Sequence, residues 1–329
     1  MKNESTKLVD TSLPLVIVNP KSASGSTRNK WSGVAADLRA HFGPFAVAFT
    51  KGPGDGTVIA EQAAKNGRKF IIACGGDGTI NEVVNGIMNS GKDIELGILP
   101  SGTGGDFRRS VGMPLGHREA ARALKSGITK RIDVGRVTFL DHDGNEVSRF
   151  FVNVSSAGLA AEVIKRVKSQ KAFDWLPVES LRGKANFAAS TLQEIVNLEG
   201  TTLRLKFDDG EEYQLRTIAF CVANARYFGG GMMIAPDAKM SDGLFDVVNI
   251  SDLTTMRVIM KAPALYRGTL GSLKEVKMTT ARRIEVAPAS ESEEILIETD
   301  GELPGKLPAT YEIIPDALRI RVPRSMSPM

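Results

Sequence analysis

The 329 residues are enough for two domains, because a single hydrophobic core rarely grows beyond about 250–300 residues. With 42% hydrophobic and 24% charged residues, the composition is that of a folded globular chain and excludes extensive disorder. No apolar run reaches the roughly 18–20 residues that span a bilayer, and the polar first ten residues hold no signal-peptide core, so we expect a cytoplasmic protein.

The cysteines, charge and histidines narrow the class of protein further. Cys74 and Cys221 lie in separate apolar stretches, which predicts buried, reduced thiols rather than a disulfide or a zinc site. The formal net charge of +4 is compatible with phosphorylated ligands or an anionic membrane surface, and we expect no nucleic-acid partner. His41, His117 and His142 are far apart, so we expect them on the solvated surface rather than around a metal.

From residue 13 to residue 139, β-branched runs alternate with helical patterns. A first predicted helix carries Trp31, Val34, Leu38 and Phe42 on one face. Two further helices and four strands continue the alternation: the helices at Val58–Asn66 and Thr79–Asn89, the strands at Leu13–Asn19, Phe45–Thr50, Lys69–Cys74 and Ile94–Leu99. This order predicts an α/β fold with a Rossmann-like parallel sheet, in which ligands bind beyond the carboxyl ends of the strands.

After residue 136 the pattern changes to hairpins. Asp-Gly pairs lie between strand-like runs at Asp143, Asp209 and Asp300, which predicts a mostly antiparallel β domain. Helical patterns interrupt it at Ala160–Lys171, Ser180–Asn197 and Leu253–Thr269. The final strand-like run, Ala317–Val322, is compatible with either domain.

The strongest local motif is Gly75-Gly76-Asp77-Gly78-Thr79, which lies between a predicted strand and a predicted helix. Glycines let the backbone approach a phosphate closely, and the free amides and dipole at a helix start attract negative charge. The alternative is an ordinary glycine-rich turn, which is less attractive for three glycines around an aspartate. We therefore expect a phosphate-binding loop here.

Two more loops follow strands of the same sheet and should face the same crevice. One is Asn19–Gly25; the other, Leu99–Arg109, contains Thr103, which can donate to a phosphate, and Asp106, which can help hold magnesium. Gly86–Asp93 nearly matches a P-loop but is better explained as a helix end. No Gly-x-Gly-x-x-Gly follows the first strand, which disfavours a dehydrogenase.

Asp300-Gly301-Glu302, taken alone, is typical of a hairpin turn. Taken in chain order with the loops above, it makes the sequence resemble the diacylglycerol kinase catalytic family over nearly the whole chain. The motifs that carry the resemblance are Asn19–Gly25, Gly75–Glu82, Pro100–Arg108, Lys239–Asp246 and Asp300–Glu302. The resemblance implies an NAD kinase/diacylglycerol kinase-like fold: an ATP-binding α/β domain of residues 1–135, to which residues from about 314 to 329 return, and a mostly antiparallel β-sandwich of residues 136–313 that takes the lipid.

The resemblance also implies roles for individual residues. Glu302 would accept the proton of the substrate hydroxyl, Asp300 would support Glu302 or share magnesium, and Asp77 would serve the phosphate and magnesium network. The ATP site would comprise Asn19, Ser22, Gly25, Thr50, Gly75, Gly76, Asp77, Gly78, Thr79, Asn81, Glu82, Gly102, Thr103 and Asp106.

A structural Mg²⁺ is implied in a second place. It would bind the side chain of Asp242 and the backbone of Lys239 and Leu244, as in similar enzymes. The alternative for this segment is a plain polar turn before a strand. The cofactors that the resemblance implies are therefore ATP and Mg²⁺.

For function, the resemblance implies a lipid kinase that acts on a lipid alcohol at a membrane surface, with diacylglycerol as the first candidate. A ceramide or sphingoid-base kinase, an NAD kinase and a non-catalytic binding protein are the alternatives. Gly105 stands where family members usually have Asn, which leaves the exact lipid open. The basic and aromatic segment Ile164–Leu176 is a candidate for peripheral membrane contact, the alternative being a solvated helix followed by core aromatics. The oligomeric state, including a homodimer, also stays open.

Overall fold

The computed structural model of the protein describes residues 11–22, 26–101, 105–158, 161–162, 200–251, 257 and 260–324. Within these residues the chain begins with alternating strands and helices and continues mostly in strands. The helices are α1 (Ser26–His41), α2 (Asp55–Lys65), α3 (Asp77–Ser90), α4 (Asp106–Ser110), α5 (His117–Ser126) and α6 (Pro263–Arg267), and a 3-10 turn lies at Leu270–Ser272.

The first four strands form a parallel sheet. They are β1 (Leu15–Val18), β2 (Ala46–Phe49), β3 (Phe70–Gly75) and β4 (Glu95–Pro100), and they lie in the order β2-β1-β3-β4. Every residue of β1 and β4 is buried, as expected for parallel strands that helices cover. α2 packs against α3, and α1 packs against α5. The predicted parallel α/β arrangement is confirmed.

The later strands build a second, antiparallel part around its own core. Their bounds are β5 (Ile128–Leu140), β6 (Glu146–Phe151), β7 (Val154–Gly158), β8 (Thr201–Phe207), β9 (Tyr213–Thr217), β10 (Ala219–Ala223), β11 (Tyr227–Phe228), β12 (Met232–Met233), β13 (Phe245–Ile250), β14 (Val276–Ala281), β15 (Arg283–Pro288), β16 (Leu296–Thr299) and β17 (Glu302–Val322). Phe151 stacks on Phe245 with ring centroids 5.6 Å apart and meets Tyr311 edge-on at 6.2 Å. The predicted antiparallel β part is confirmed as well.

β17 connects the two parts of the fold. Along its length it pairs antiparallel with β5, and near its end Arg319 and Ile320 pair with Glu95 and Leu96 of β4 in parallel. The Arg321 guanidinium binds the buried Glu95 carboxylate through two contacts of 2.5 and 2.8 Å. Burial acts to raise the pKa of Glu95, but the hydrogen bonds from Arg321 and Thr129 outweigh it and lower that pKa. The end of β17 is thus fixed beside the parallel sheet, while the domain boundaries stay a prediction.

Several local predictions are met. Cys74 and Cys221 are buried free thiols, and Gly91 ends α3 in a left-handed conformation, so the near-match to a P-loop is a helix end. Of the predicted helix at residues 253–269, residues 257, 260, 261 and 263–267 are helical with a turn at 262, and residues 253–256 and 258–259 lie outside the described residues. This helix ends at Arg267 because Gly268 takes a left-handed conformation. The other two predicted helices, at 160–171 and 180–197, lie outside the described residues except for a helical pair at 161–162. Among the described helices, none combines the length and apolar character needed to cross a bilayer.

The contact between α2 and α3 depends on Gly86. A Cβ atom on Gly86 would lie 2.7 Å from the Cβ of Ala60 and closer still to the carbonyl oxygen of Thr57. Gly86→Ala should therefore lower the free energy of unfolding by about 1–3 kcal/mol, as overpacking does. Urea denaturation followed by circular dichroism measures this change.

Gly33 is the matched control, because it lies in α1 with no atom within 4 Å of its missing Cβ. Gly33→Ala should raise the free energy of unfolding by about 0.5–1 kcal/mol through helix propensity. Equal stability of the two variants would contradict the close packing of α2 on α3.

Candidate active site

α3 starts directly after a glycine. β3 ends at Gly75, and Gly76 precedes the helix in an extended conformation and brings no side chain to cap the first helical amides. A Cβ on Gly75 would lie 2.6 Å from the Cβ of Thr79, so this position requires glycine. A 14-residue helix with glycine at its N-cap offers its positive end to a phosphate.

Asp77 joins this helix to the second glycine loop. Its Oδ1 accepts a hydrogen bond from the Phe107 amide and its Oδ2 accepts one from the Asp106 amide, each at 3.1 Å. The Ser101 amide donates to the Gly75 carbonyl at 2.9 Å. The two loops that sequence reasoning assigned to one crevice therefore lie side by side.

The third loop reaches the same place through Asn19. Its Nδ2 donates to Thr79 Oγ1 at 3.1 Å, and its Oδ1 accepts from the Lys21 amide at 2.9 Å. Behind it, the hydroxyls of Ser22, Thr27 and Ser101 form a chain with separations of 2.7 and 2.5 Å. Sequence reasoning missed Thr27, which the pattern marked only as an ordinary residue of the first helix, although its buried hydroxyl joins the first loop to the second.

Asp106 links the phosphate-side loops to the β part. The Arg109 guanidinium donates to its Oδ1 and the Gly230 amide to its Oδ2, both at 2.8 Å. Burial raises the pKa of Asp106, and the nearby charge of Asp77 raises it further, while the Gly230 and Arg109 contacts act in the opposite direction. Gly230 belongs to the turn between β11 and β12, so a hairpin of the antiparallel part reaches this site.

Gly105, where the sequence departs from the family pattern, has a φ of +68°. Asparagine and glycine are the residues that adopt this left-handed conformation most readily, so the backbone shape is compatible with both. The two residues differ in the side-chain amide, which asparagine has and glycine lacks. The departure therefore removes a polar group next to Asp106, while the backbone conformation at residue 105 suits either residue.

Asp300 is 8% exposed, and both oxygens of its carboxylate accept hydrogen bonds. Oδ1 accepts from the amides of Asn153 and Val154 at 2.9 and 3.2 Å, and Oδ2 accepts from the Val152 amide at 3.0 Å and Asn81 Nδ2 at 2.8 Å. Burial raises the pKa of Asp300 to about 6 against the effect of these hydrogen bonds. Of the two roles expected for Asp300, this geometry favours support of the turn over a share in binding magnesium.

Glu302 follows in the same turn and faces α3. A Cβ on Gly78 would lie 3.9 Å from Glu302 Oε1, and both residues are exposed. The structure therefore brings an accessible carboxylate to this helix end across the junction of the two parts. An exposed carboxylate at such a place is able to accept a proton from a hydroxyl that reaches it.

A second carboxylate, Glu298, lies beneath this turn and was missed in the sequence. Its Oε1 accepts from the Gly301 amide and its Oε2 from Ser156 Oγ, both at 2.6 Å. The residue is 3% exposed, and burial raises its pKa to about 7, with the charges of Asp300 and Glu302 adding to the rise. The one signal available was an acidic residue directly after the apolar residues Leu296 and Ile297 of the same strand.

Glu82 and Thr50, which were also expected around ATP, have other contacts, as Asn81 does with Asp300. Glu82 accepts from the amides of Gly54 and Gly56 at 2.8 and 2.9 Å, so its carboxylate caps the start of α2. Thr50 is buried at the end of β2, where its amide donates to the Val18 carbonyl at 2.9 Å. Gly25, Gly102 and Thr103 lie outside the described residues, as does the predicted membrane segment Ile164–Leu176.

The loop at Lys239–Leu244 lies against β5. Asp242 is exposed and accepts from the Leu244 amide at 3.2 Å, and the Gly243 amide donates to Asp133 at 2.8 Å. Burial and the charge of Asp242 help raise the pKa of Asp246 to about 6. A divalent cation would relieve this crowding of negative charge, and a carboxylate with backbone carbonyls suits Mg²⁺. Among the described residues no three His, Cys, Asp or Glu side chains are grouped for a metal, so such a site would depend on backbone oxygens.

Comparison with known proteins adds independent findings. Residues 14–137 match the model of the diacylglycerol kinase catalytic domain, and residues 153–322 match that of the YegS C-terminal NAD kinase beta sandwich-like domain. A protein named diacylglycerol kinase from Mycobacterium tuberculosis is 29% identical over 94% of both chains. One of the same name from Bacillus subtilis is 30% identical over 78% of this chain and 79% of its own.

The structural comparison bears on the fold alone. A crystal structure of a putative diacylglycerol kinase from Bacillus anthracis superposes with a TM-score of 0.75 at 24% identity, covering 96% of this chain and 98% of the other. The two family models and the relatives point to one family. The chain therefore belongs to the diacylglycerol kinase catalytic family of lipid kinases.

Proposed function

We propose that the protein transfers the γ-phosphate of ATP to the hydroxyl of a membrane lipid, with diacylglycerol as the substrate and phosphatidic acid as the product. The observation that carries this proposal is the placement of the Glu302 carboxylate opposite Gly78, at the N-terminus of α3. The names of the relatives support diacylglycerol as the acceptor. We assign ATP binding to residues 1–135 with about 314–329, and lipid binding to residues 136–313.

In this mechanism the first amides of α3 hold the phosphate chain of ATP. Glu302 accepts the hydroxyl proton while the lipid oxygen bonds to the γ-phosphorus, and the bond from that phosphorus to the bridging oxygen breaks to release ADP. Mg²⁺, when bound, neutralises charge on the phosphates. Asp77, the first residue of α3, and Asp106, whose amide binds Asp77, would hold it, because each of their carboxylates accepts fewer hydrogen bonds than the four that Asp300 accepts.

The acceptor is tested with the purified protein, ATP and Mg²⁺. Diacylglycerol, ceramide, a sphingoid base and NAD are offered in separate reactions, and products are identified by mass spectrometry. We expect phosphatidic acid from diacylglycerol at the highest rate. Phosphorylation of NAD alone would overturn the proposal. Phosphorylation of a sphingoid base or ceramide alone would show that the lipid acceptor is not diacylglycerol.

Glu302→Gln keeps the size of the side chain and removes the proton acceptor. We expect kcat to fall by at least about 100-fold, which is the usual contribution of general base catalysis. The dissociation constant for ATP, measured by equilibrium binding, should stay near that of the unmodified protein because the amides of α3 are unchanged. Glu312→Gln is the matched control, since Glu312 lies on the same strand in a surface ion pair with Arg136. Undiminished turnover of the Glu302 variant would exclude this role.

Glu298 supports the placement of Glu302 because it binds the amide of the intervening Gly301. Its pKa of about 7, against 4.5 for an ordinary glutamate, means that the folded protein holds more protons than the unfolded chain between these values. The free energy of unfolding must then decrease as pH rises through this interval.

Glu298→Gln retains an acceptor for Gly301 and removes the titration. From pH 5 to pH 8 the unmodified protein should lose about 1–3 kcal/mol more unfolding free energy than this variant does. Urea denaturation at several pH values measures the two slopes, and Glu312→Gln should follow the unmodified protein. Parallel slopes for the Glu298 variant and the unmodified protein would contradict a buried titrating carboxylate at this position.

A further inference from the structure

The segment at residues 260–278 exposes three large apolar side chains. Met260 is 72% exposed, Tyr266 is 58% exposed and Met278 is 38% exposed. Leu270, in the middle of the segment, is buried and attaches it to the core beneath. The segment is therefore attached to the core through Leu270, and its exposed apolar side chains do not take part in that attachment.

The same segment concentrates positive charge. It contains Lys261, Arg267, Lys274 and Lys277 and one acidic residue, Glu275, which gives +3 in a chain whose total is +4. Glu275 forms an ion pair with Lys261 at 2.5 Å. Arg267, Lys274 and Lys277 form no ion pair with any described residue. We call these exposed apolar and basic side chains the docking face.

The elements that carry the docking face lie next to one another. α6 contacts the 3-10 turn at residues 270–272, and this turn contacts β14. A Cβ on Gly271 would lie 3.2 Å from the sulfur of Met278, so this side chain of β14 lies beside the turn. Lys277 is the neighbour of Met278 in the strand and extends the positive charge to the other face of this strand.

A short hairpin connects the docking face to the candidate active site. α6 packs on β12, where the Cε of Met233 lies 3.2 Å from the position of a Cβ on Gly268. β12 pairs with β11, and the turn between them carries Gly230, whose amide binds Asp106. The β11–β12 hairpin therefore contacts the docking face on one side and the Asp106 loop on the other.

The chemistry of the docking face favours an anionic lipid bilayer. Aromatic and methionine side chains enter the boundary between headgroups and acyl chains, and surrounding cations bind acidic headgroups. A second copy of the chain would bring +3 against +3 if the face paired with itself, which opposes that contact. We propose that the docking face binds the protein to anionic membranes and presents the active site to the lipid acceptor, which rests on the lipid substrate proposed above.

Binding is tested with the full chain and without ATP. The probes are vesicles of phosphatidylcholine alone and of phosphatidylcholine with phosphatidylserine, measured by co-sedimentation. Lys274→Ser with Lys277→Ser should weaken partitioning onto the anionic vesicles by about 25-fold, since each basic residue near such a surface contributes about fivefold. Tyr266→Ser with Met260→Ser should weaken binding to the same vesicles.

Control variants remove basic or apolar side chains elsewhere on the surface. Lys69→Ser with Lys92→Ser removes two exposed charges at the amino ends of β3 and β4, and Val58→Ser removes an exposed apolar side chain from α2. The controls should bind vesicles like the unmodified protein, and all variants should keep the same thermal midpoint. Equal vesicle binding by the docking-face variants and the controls would overturn the proposal.

Turnover separates this inference from the proposed function. With a short-chain diacylglycerol dissolved as monomers, the docking-face variants should match the unmodified protein, while with long-chain diacylglycerol in vesicles they should be slower. Equal losses in both assays would overturn the docking face, whereas no turnover in any format, with vesicle binding intact, would overturn the kinase activity alone. Variants that change the oligomeric state and leave vesicle binding intact would assign the face to a second copy of the chain and overturn the membrane proposal.

Discussion

The buried carboxylate of Asp300 is the constraint on which the arrangement of the site depends. Removing a carboxylate from water costs several kcal/mol, and four hydrogen bonds to its oxygens offset that cost. One donor, Asn81, belongs to α3, and the other three are backbone amides of the antiparallel part. The same contact thus fixes the helix that begins at the phosphate loop relative to the turn that carries Glu302.

The architecture supports this alignment over a longer range. β5 and β17 run through both parts of the fold, and the Arg321–Glu95 ion pair fixes the far end of β17 beside the parallel sheet. The crevice is therefore bounded by elements that share a continuous sheet. A hydrogen-bonded sheet is stiffer than a loop. The distance between Glu302 and the start of α3 is therefore set mainly by the sheet and less by the loops at its edge.

How much could be predicted from the sequence depended on whether the signal was local. The buried strands, the start of α3 near Asp77 and the neighbouring glycine loops follow from apolar runs and from glycine at a strand end. The capping of α2 by Glu82 does not, because its partners precede it in another element. Asp300 and Asn81 are 219 positions apart, so no spacing rule could link them. Glu298 was missed because the pattern of its strand gives no hint of the amide that it binds.

The hydrogen bond from Gly230 to Asp106 has an electrostatic consequence. It is the largest of the contacts that lower the pKa of Asp106 against burial and the charge of Asp77. If the β11–β12 hairpin moved away, the pKa of Asp106 would rise further, because this hydrogen bond favours the charged carboxylate. The position of a hairpin in the antiparallel part thereby bears on the pKa of a carboxylate beside the start of α3.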